Sequence, residues 1–224
     1  MLELVRTLVL GATAGTLFAA VLGSLPIRQG SRLALGAGIG AWISLAVAIA
    51  ASGATRNTPL AVPVMFALPL IAAGLAATSA ASRRAMMAIP VNLIVALSAI
   101  RVVGVLMLIA AATGLMYGPF PYFAGIGDII TAIFALPVAR LALRNPRDIR
   151  VLEWNIFGAL DLVVAVALGV ASARTGSAAM TTLPWALIPL VLVPTYLIGH
   201  ALVFAHMREA APVGSRAQTT AAQA

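Results

Sequence analysis

Apolar residues run through this chain in blocks of about twenty, separated by short clusters of Pro, Gly, Asn and Arg. A helix needs roughly 20 largely apolar residues to cross about 30 Å of hydrocarbon. Seven blocks meet that length: Thr7 to Leu25, Leu33 to Ser52, Leu60 to Ala81, Ile89 to Ala112, Phe120 to Ala139, Trp154 to Ala173 and Leu183 to Ala205. Turn or charge signals occupy every break, among them Arg56-Asn57-Thr58-Pro59, Arg83-Arg84 and Tyr117-Gly118-Pro119. The third block is the most interrupted, with Pro63 and Pro69 inside it. The pattern predicts an all-α, polytopic transmembrane helical bundle over residues 1–209. Residues 210–224, rich in Ala, Gln and Thr, read as a disordered tail.

Composition makes the membrane the solvent and not an option. Of 224 residues 62% are hydrophobic and 9% charged, with a mean hydropathy of +1.07. Soluble domains are about a quarter charged. Six acids and fourteen bases cannot supply a water-facing shell for a core of this size. A soluble enzyme, a secreted scaffold and a nucleic-acid binder are excluded as primary readings, and the lipid bilayer is the expected partner. All fourteen bases are Arg, which with the Ala-rich composition points to a high-GC bacterial genome and a multi-pass protein of the bacterial cytoplasmic (inner) membrane. The absence of Cys excludes disulfides, thiol chemistry and Cys-ligated zinc.

The net charge of +8 then reports topology. Arg6, Arg56 and Arg174 fall on one side of the seven-span arrangement. Arg28, Arg32, Arg83, Arg84, Arg140, Arg144, Arg147, Arg150, Arg208 and Arg216 fall on the other. Positive charge accumulates in cytoplasmic loops, so the N-terminus is expected outside and the C-terminus in the cytoplasm. That result needs an odd number of spans and agrees with seven. Glu3 and the same charge bias argue that the first span is an uncleaved helix and not a signal peptide.

Ionisable residues inside spans cost about 2.5–3.5 kcal/mol on insertion scales and mark functional sites by default. Arg101, Asp128, Asp161 and His200 are the four. At about 1.5 Å of rise per residue, Arg101 falls at the middle of the fourth span and Asp128 about 2 Å to its outer side. Asp161 lies about 4 Å and His200 about 9 Å toward the cytoplasm. Small residues flank each Asp at three- and four-residue spacing: Gly125, Ala132, Ala135 and Ala139 on the fifth span, and Gly158, Ala165, Gly169 and Ser172 on the sixth. Such stripes let helices approach closely and turn each Asp toward a helix seam. The expected arrangement is an Arg101 guanidinium between two carboxylates. One Arg neutralises one of them, so the second must hold a proton, use His200 or face water. Proton or cation handling would follow; the plainer alternative is a structural clamp, with the second Asp protonated and bonded to backbone or to Asn155.

The other candidates are weaker. Gly125 to Ile133 and Gly158 to Val166 match at an offset of 33, as an inverted repeat would, though small-residue packing explains the match as well. His200 and His206 lie on different faces, and no other span carries a His. A bis-histidine haem at His200 would therefore need a homo-oligomer, and a hydrogen-bonded core histidine is the simpler reading. No cofactor or metal is expected. Pro184, Pro189 and Pro194 recur along the seventh span, and Tyr117, Phe120, Tyr122, Trp154 and Trp185 lie at span ends, as in aromatic belts. Gly36-Ala-Gly38-Ile-Gly40 follows no strand and reads as helix packing.

Arg101-Val-Val-Gly104, Gly125-Ile-Gly127-Asp128 and Trp154-Asn155-Ile-Phe-Gly158-Ala-Leu-Asp161, followed by Pro189, Pro194 and His200, form a pattern. Over residues 95–208 it resembles a group of small bacterial integral membrane proteins of undefined activity. Thr113 stands here where that group often has Gln. The resemblance implies no activity. Three functions fit the residues: a small-solute or proton-coupled transporter using Arg101, Asp128, Asp161, His200 and Asn155; a non-catalytic scaffold or partner subunit whose basic segment Arg140 to Arg150 meets anionic lipid or a partner; and an intramembrane enzyme or haem protein.

Overall fold

The computed structural model describes residues 2–58, 60–172 and 178–209, and among them there is helix and no strand. The helices are α1 (Leu2–Ser24), α2 (Gln29–Ala51), α3 (Ala54–Asn57), α4 (Ala61–Thr78), α5 (Ala80–Met87), α6 (Val91–Leu97), α7 (Val105–Ala112), α8 (Phe120–Arg144), α9 (Ile149–Ala171) and α10 (Val193–Glu209). Tighter and wider turns join some of them. A 3₁₀ stretch, Ser98–Gly104, links α6 to α7, and a π turn, Ile188–Leu192, leads into α10. Six helical segments of the described residues are long and apolar enough to cross a membrane: Gln29–Ala51, Ala61–Thr78, Val91–Ala112, Phe120–Arg144, Ile149–Ala171 and Ile188–Arg208. Helix α1 is apolar over a shorter piece, Val9–Ser24. The tail predicted at 210–224 lies outside the described residues.

Span boundaries move where local chemistry overrides hydropathy. Helix α8 runs through Pro137 to Arg144, and a basic last turn suits the negative end of a helix. Helix α9 starts at Ile149, before the apolar block, because the Asp148 carboxylate caps it by accepting from the Arg150 N–H at 3.0 Å. The third block divides: α4 ends where Ser79 becomes extended, and α5 carries Arg83 and Arg84 separately. The seventh span is helical only from Ile188, five residues later than expected. Pro184 and Pro189 supply no backbone N–H to the start of that block.

Helix α8 packs against α6, the 3₁₀ stretch, α7 and α9. Its small-residue stripe, including Gly125, Ala132, Ala135 and Ala139, is buried. Ile126, Ile130, Ile133, Phe134 and Leu136 point outward on the same helix, which only a hydrocarbon solvent makes favourable. Two apolar clusters form the core. One joins Leu10, Leu17, Met107, Phe120, Leu162, Trp185 and Leu190. The other joins Val91, Val95, Ala135, Val138, Val151, Trp154 and Val203. Along each central helix the first cluster lies on one side of Arg101, Asp128 or His200 and the second on the other. The polar residues therefore form a layer between two apolar halves.

Trp154 and Trp185 do not belong to an interfacial belt. They are 7% and 2% exposed, and Trp154 donates its indole N–H to the Thr131 carbonyl at 3.0 Å. Tyr117 and Tyr122 remain exposed at a span end.

Candidate functional site

The site is built on glycine. A Cβ on Gly104 would sit 2.5 Å from the Asp128 Cβ and 3.1 Å from the Gly125 carbonyl oxygen. A Cβ on Gly125 would sit 2.9 Å from the Gly104 carbonyl oxygen. The 3₁₀ stretch and α8 therefore meet backbone to backbone. A Cβ on Gly127 would overlap the Asp161 carboxylate, and one on Gly158 would lie 2.6 Å from the His200 Cε1. Each polar side chain thus rests on a glycine of the helix before it: Asp128 on Gly104, Asp161 on Gly127, His200 on Gly158. This register explains why Gly and Asp recur together along α8 and α9.

Arg101 stands in the 3₁₀ stretch and is completely buried. Its Nε donates to Asp128 Oδ1 at 2.7 Å and its Nη2 to Asp161 Oδ2 at 2.5 Å. Its Nη1 lies 3.3 Å from both the Gly158 carbonyl oxygen and His200 Nε2. The guanidinium therefore pairs with both carboxylates, as expected of an Arg101 set between them. Tyr196, one turn before His200, places its ring 5.5 Å from the guanidinium carbon, a cation–π distance.

The hydrogen bonds assign the state of His200. The Asn155 amide nitrogen donates to the His200 carbonyl at 3.2 Å, which turns Asn155 Oδ1 toward His200 Nδ1 at 2.8 Å. An amide oxygen only accepts, so Nδ1 carries the ring proton and Nε2 offers its lone pair to Arg101. His200 is an acceptor for the guanidinium and does not balance the second carboxylate. Asn155, expected as a partner of an Asp, instead holds the histidine. Both ring nitrogens are engaged, which leaves none for a haem iron in this conformation.

The expected depth of His200, about 9 Å from the midpoint of its span, is also corrected. With the last span at Ile188–Arg208, His200 falls about 3 Å from its midpoint, within reach of Arg101. His206 lies apart from the site. Its Nδ1 and Nε2 are 2.8 Å and 3.0 Å from the Leu202 and Met87 carbonyl oxygens, tying α10 to the end of α5.

A small cavity borders this layer, lined by Arg101, Gly104, Met107, Asp128, Leu192 and Tyr196 among others, with about 20 Å³ of room for water centres. One water needs roughly 10–15 Å³ on that measure, so the cavity fits about one. Tyr196 is 8% exposed, and its hydroxyl has no hydrogen-bond partner in the protein. Tyr196 is the member that sequence reasoning passed over; Gly104 and Gly127 stood in the pattern but without the packing role they have here. Tyr196 was accessible to such reasoning, since residues four apart share a helix face. The 3₁₀ and π turns had no readable signal beyond Pro189 and Pro194, yet both line the cavity. Irregular turns of this kind recur at functional sites.

Among the described residues no group of three His, Cys, Asp or Glu side chains is placed to hold a metal ion. No curated protein sequence matches the chain, and no solved structure does. A family model described as Domain of unknown function (DUF8737) matches residues 59–208. That stretch holds every residue of the polar layer and most of the chain, which belongs to this family.

Proposed function

We propose that this is a proton-coupled transporter of small solutes in a bacterial cytoplasmic membrane. In this reading α1 joins the six longer segments to make seven crossings, with the N-terminus outside and the C-terminus in the cytoplasm, as the three-against-ten distribution of Arg implies. The observation that carries the function is the charge balance of the buried layer. One guanidinium serves two carboxylates, and His200 accepts from that guanidinium instead of adding charge. One negative charge is left over in a low-dielectric interior, where an uncompensated ion costs several kcal/mol. A proton removes that cost. Moving one carboxyl to water would release it, which is the coupling step such a transporter needs. In this reading the conformation described, with room for about one water beside the layer, is the one that holds no solute there.

The test is proton movement in proteoliposomes loaded with a pH dye and challenged with sodium, potassium, amino acids and sugars in turn. A change of lumenal pH driven by at least one solute, acid for symport or alkaline for exchange, is expected with the wild-type protein. It is expected to vanish in Asp128→Asn and in Asp161→Asn, with protein levels unchanged. A scaffold role has one observation in its favour: Nε, Nη1 and Nη2 of Arg101 all have partners. Absence of proton movement, together with loss of protein in the Asp variants, would establish that role instead.

A further inference from the structure

Two carboxyls share Arg101, and the layer's geometry treats them differently. Both rest on a glycine, Asp161 on Gly127 and Asp128 on Gly104, but Asp161 is absent from the cavity lining. Asp128 uses Oδ1 for Arg101 and lines the cavity, whose other polar members are Arg101 itself and Tyr196. The Tyr196 hydroxyl is buried without a partner in the protein. Leaving such a group unsatisfied is costly, and a water held by two to four polar groups removes that cost. Volume, polarity and the unpartnered hydroxyl point to the same occupant.

We infer that the cavity is a binding site for a single water, held between the Tyr196 hydroxyl and the Asp128 carboxyl, and that Asp128 therefore carries the surplus proton of the layer. This rests on the proposal above that such a proton exists. Water and a phenol hydroxyl each donate and accept. When Asp128 is a carboxylate, the hydroxyl donates to the water and the water donates to Asp128. When Asp128 is a carboxylic acid, its O–H donates to the water, which turns to donate to the Tyr196 oxygen. The same two groups thus serve both protonation states, with no side chain moving. The free oxygen of Asp161 faces Gly127 and does not line this cavity.

The carboxylic-acid C=O stretching band of the purified, detergent-solubilised protein tests this by infrared spectroscopy in D₂O at neutral pH. The wild-type protein should show one such band. Either Asp128→Asn or Asp161→Asn should remove it, since Arg101 then balances the single remaining carboxylate. Tyr196→Phe takes away only a hydroxyl with no protein partner; it should keep the band but shift its frequency and slow its hydrogen–deuterium exchange several-fold. As a second probe, Asp128→Glu should move the band and Asp161→Glu should leave it in place. No band in the wild-type protein would overturn the surplus proton itself. A band that ignores Tyr196→Phe and follows Asp161→Glu would overturn the assignment to Asp128 alone.

Discussion

Replacing Gly158 by Ala tests whether the register of the polar layer is as tight as the glycines imply. The added Cβ would meet His200 Cε1 at 2.6 Å, His200 Nε2 at 3.0 Å and Thr131 Cγ2 at 3.2 Å, where ordinary contact begins at 3.4 Å. His200 must therefore retreat by about 0.8 Å. It is not free to do so, because Asn155 holds Nδ1 at 2.8 Å and Arg101 lies 3.3 Å from Nε2. Overpacking of this kind costs about 1–3 kcal/mol. The intrinsic gain of Ala over Gly in a helix returns at most about 1 kcal/mol, so the balance is a loss. A chain of this length converts 1 kcal/mol into about 2–4 °C of melting temperature. Gly74→Ala on α4 is the control, since nothing lies within 4 Å of its Cβ; it should be neutral or slightly stabilising. Thermal unfolding of both variants in the same detergent decides the matter. A Gly158→Ala protein as stable as the Gly74→Ala protein would refute the close register and the site geometry built on it.

Four further outcomes follow from the same contacts. Arg101→Met leaves two buried carboxylates without their cation, and breaking a buried pair costs about 3–5 kcal/mol; folded yield should fall well below that of Asp128→Asn, measured by size-exclusion chromatography. Asn155→Leu removes both contacts to His200 and should destabilise by about 1–3 kcal/mol, and in the double variant with His200→Phe the losses should not add, as chemical-denaturation midpoints would reveal. Because both nitrogens of His200 are engaged, hemin titrated into the purified protein should give the same Soret spectrum with wild type and with His200→Ala. The hydrogen bonds from Arg150 lower the Asp148 carboxyl to about 2. A lowered value means that its cap on α9 is complete above the unfolded value near 4 and is lost as pH falls through about 2. Protection of the Arg150 to Leu152 amides, taken relative to their intrinsic exchange rates at each pH, should fall over that window in the wild-type protein and stay flat in Asp148→Asn.

The sequence carried the layer because charge in a bilayer is too costly to place at random. Arg101, Asp128 and Asp161 could be brought together from helix depth and small-residue stripes alone. His200 was misplaced for a definite reason. The apolar block begins at Leu183, but the long apolar helical segment begins only at Ile188, where Pro184 and Pro189 have withheld backbone N–H groups, and the midpoint of the last span shifted with it. Trp154 was misread because a tryptophan near a span end suits a membrane interface as well as it suits a core. Its burial and the position of the Thr131 carbonyl distinguish the two. Asn155 was read as a partner for an acid since its distance from α10 is a tertiary fact, absent from any periodicity.

The irregular turns follow from the same economy. Arg101 must present three nitrogens to groups on α8, α9 and α10, and its 3₁₀ stretch advances about 2.0 Å per residue where an α-helix advances about 1.5 Å. That change of pitch alters both the height and the direction of the side chain relative to an unbroken helix. On the facing side, Val193 N–H reaches back to the Ile188 carbonyl through the wider π turn, and the residues just beyond it include Tyr196. Residues of both segments, Arg101 and Gly104 on one side and Ile188 and Leu192 on the other, line the one cavity that Tyr196 also borders. The two departures from regular helix therefore belong to one site, and a variant that restores regularity in either should disturb the other's contacts before it disturbs the outer, lipid-facing helices.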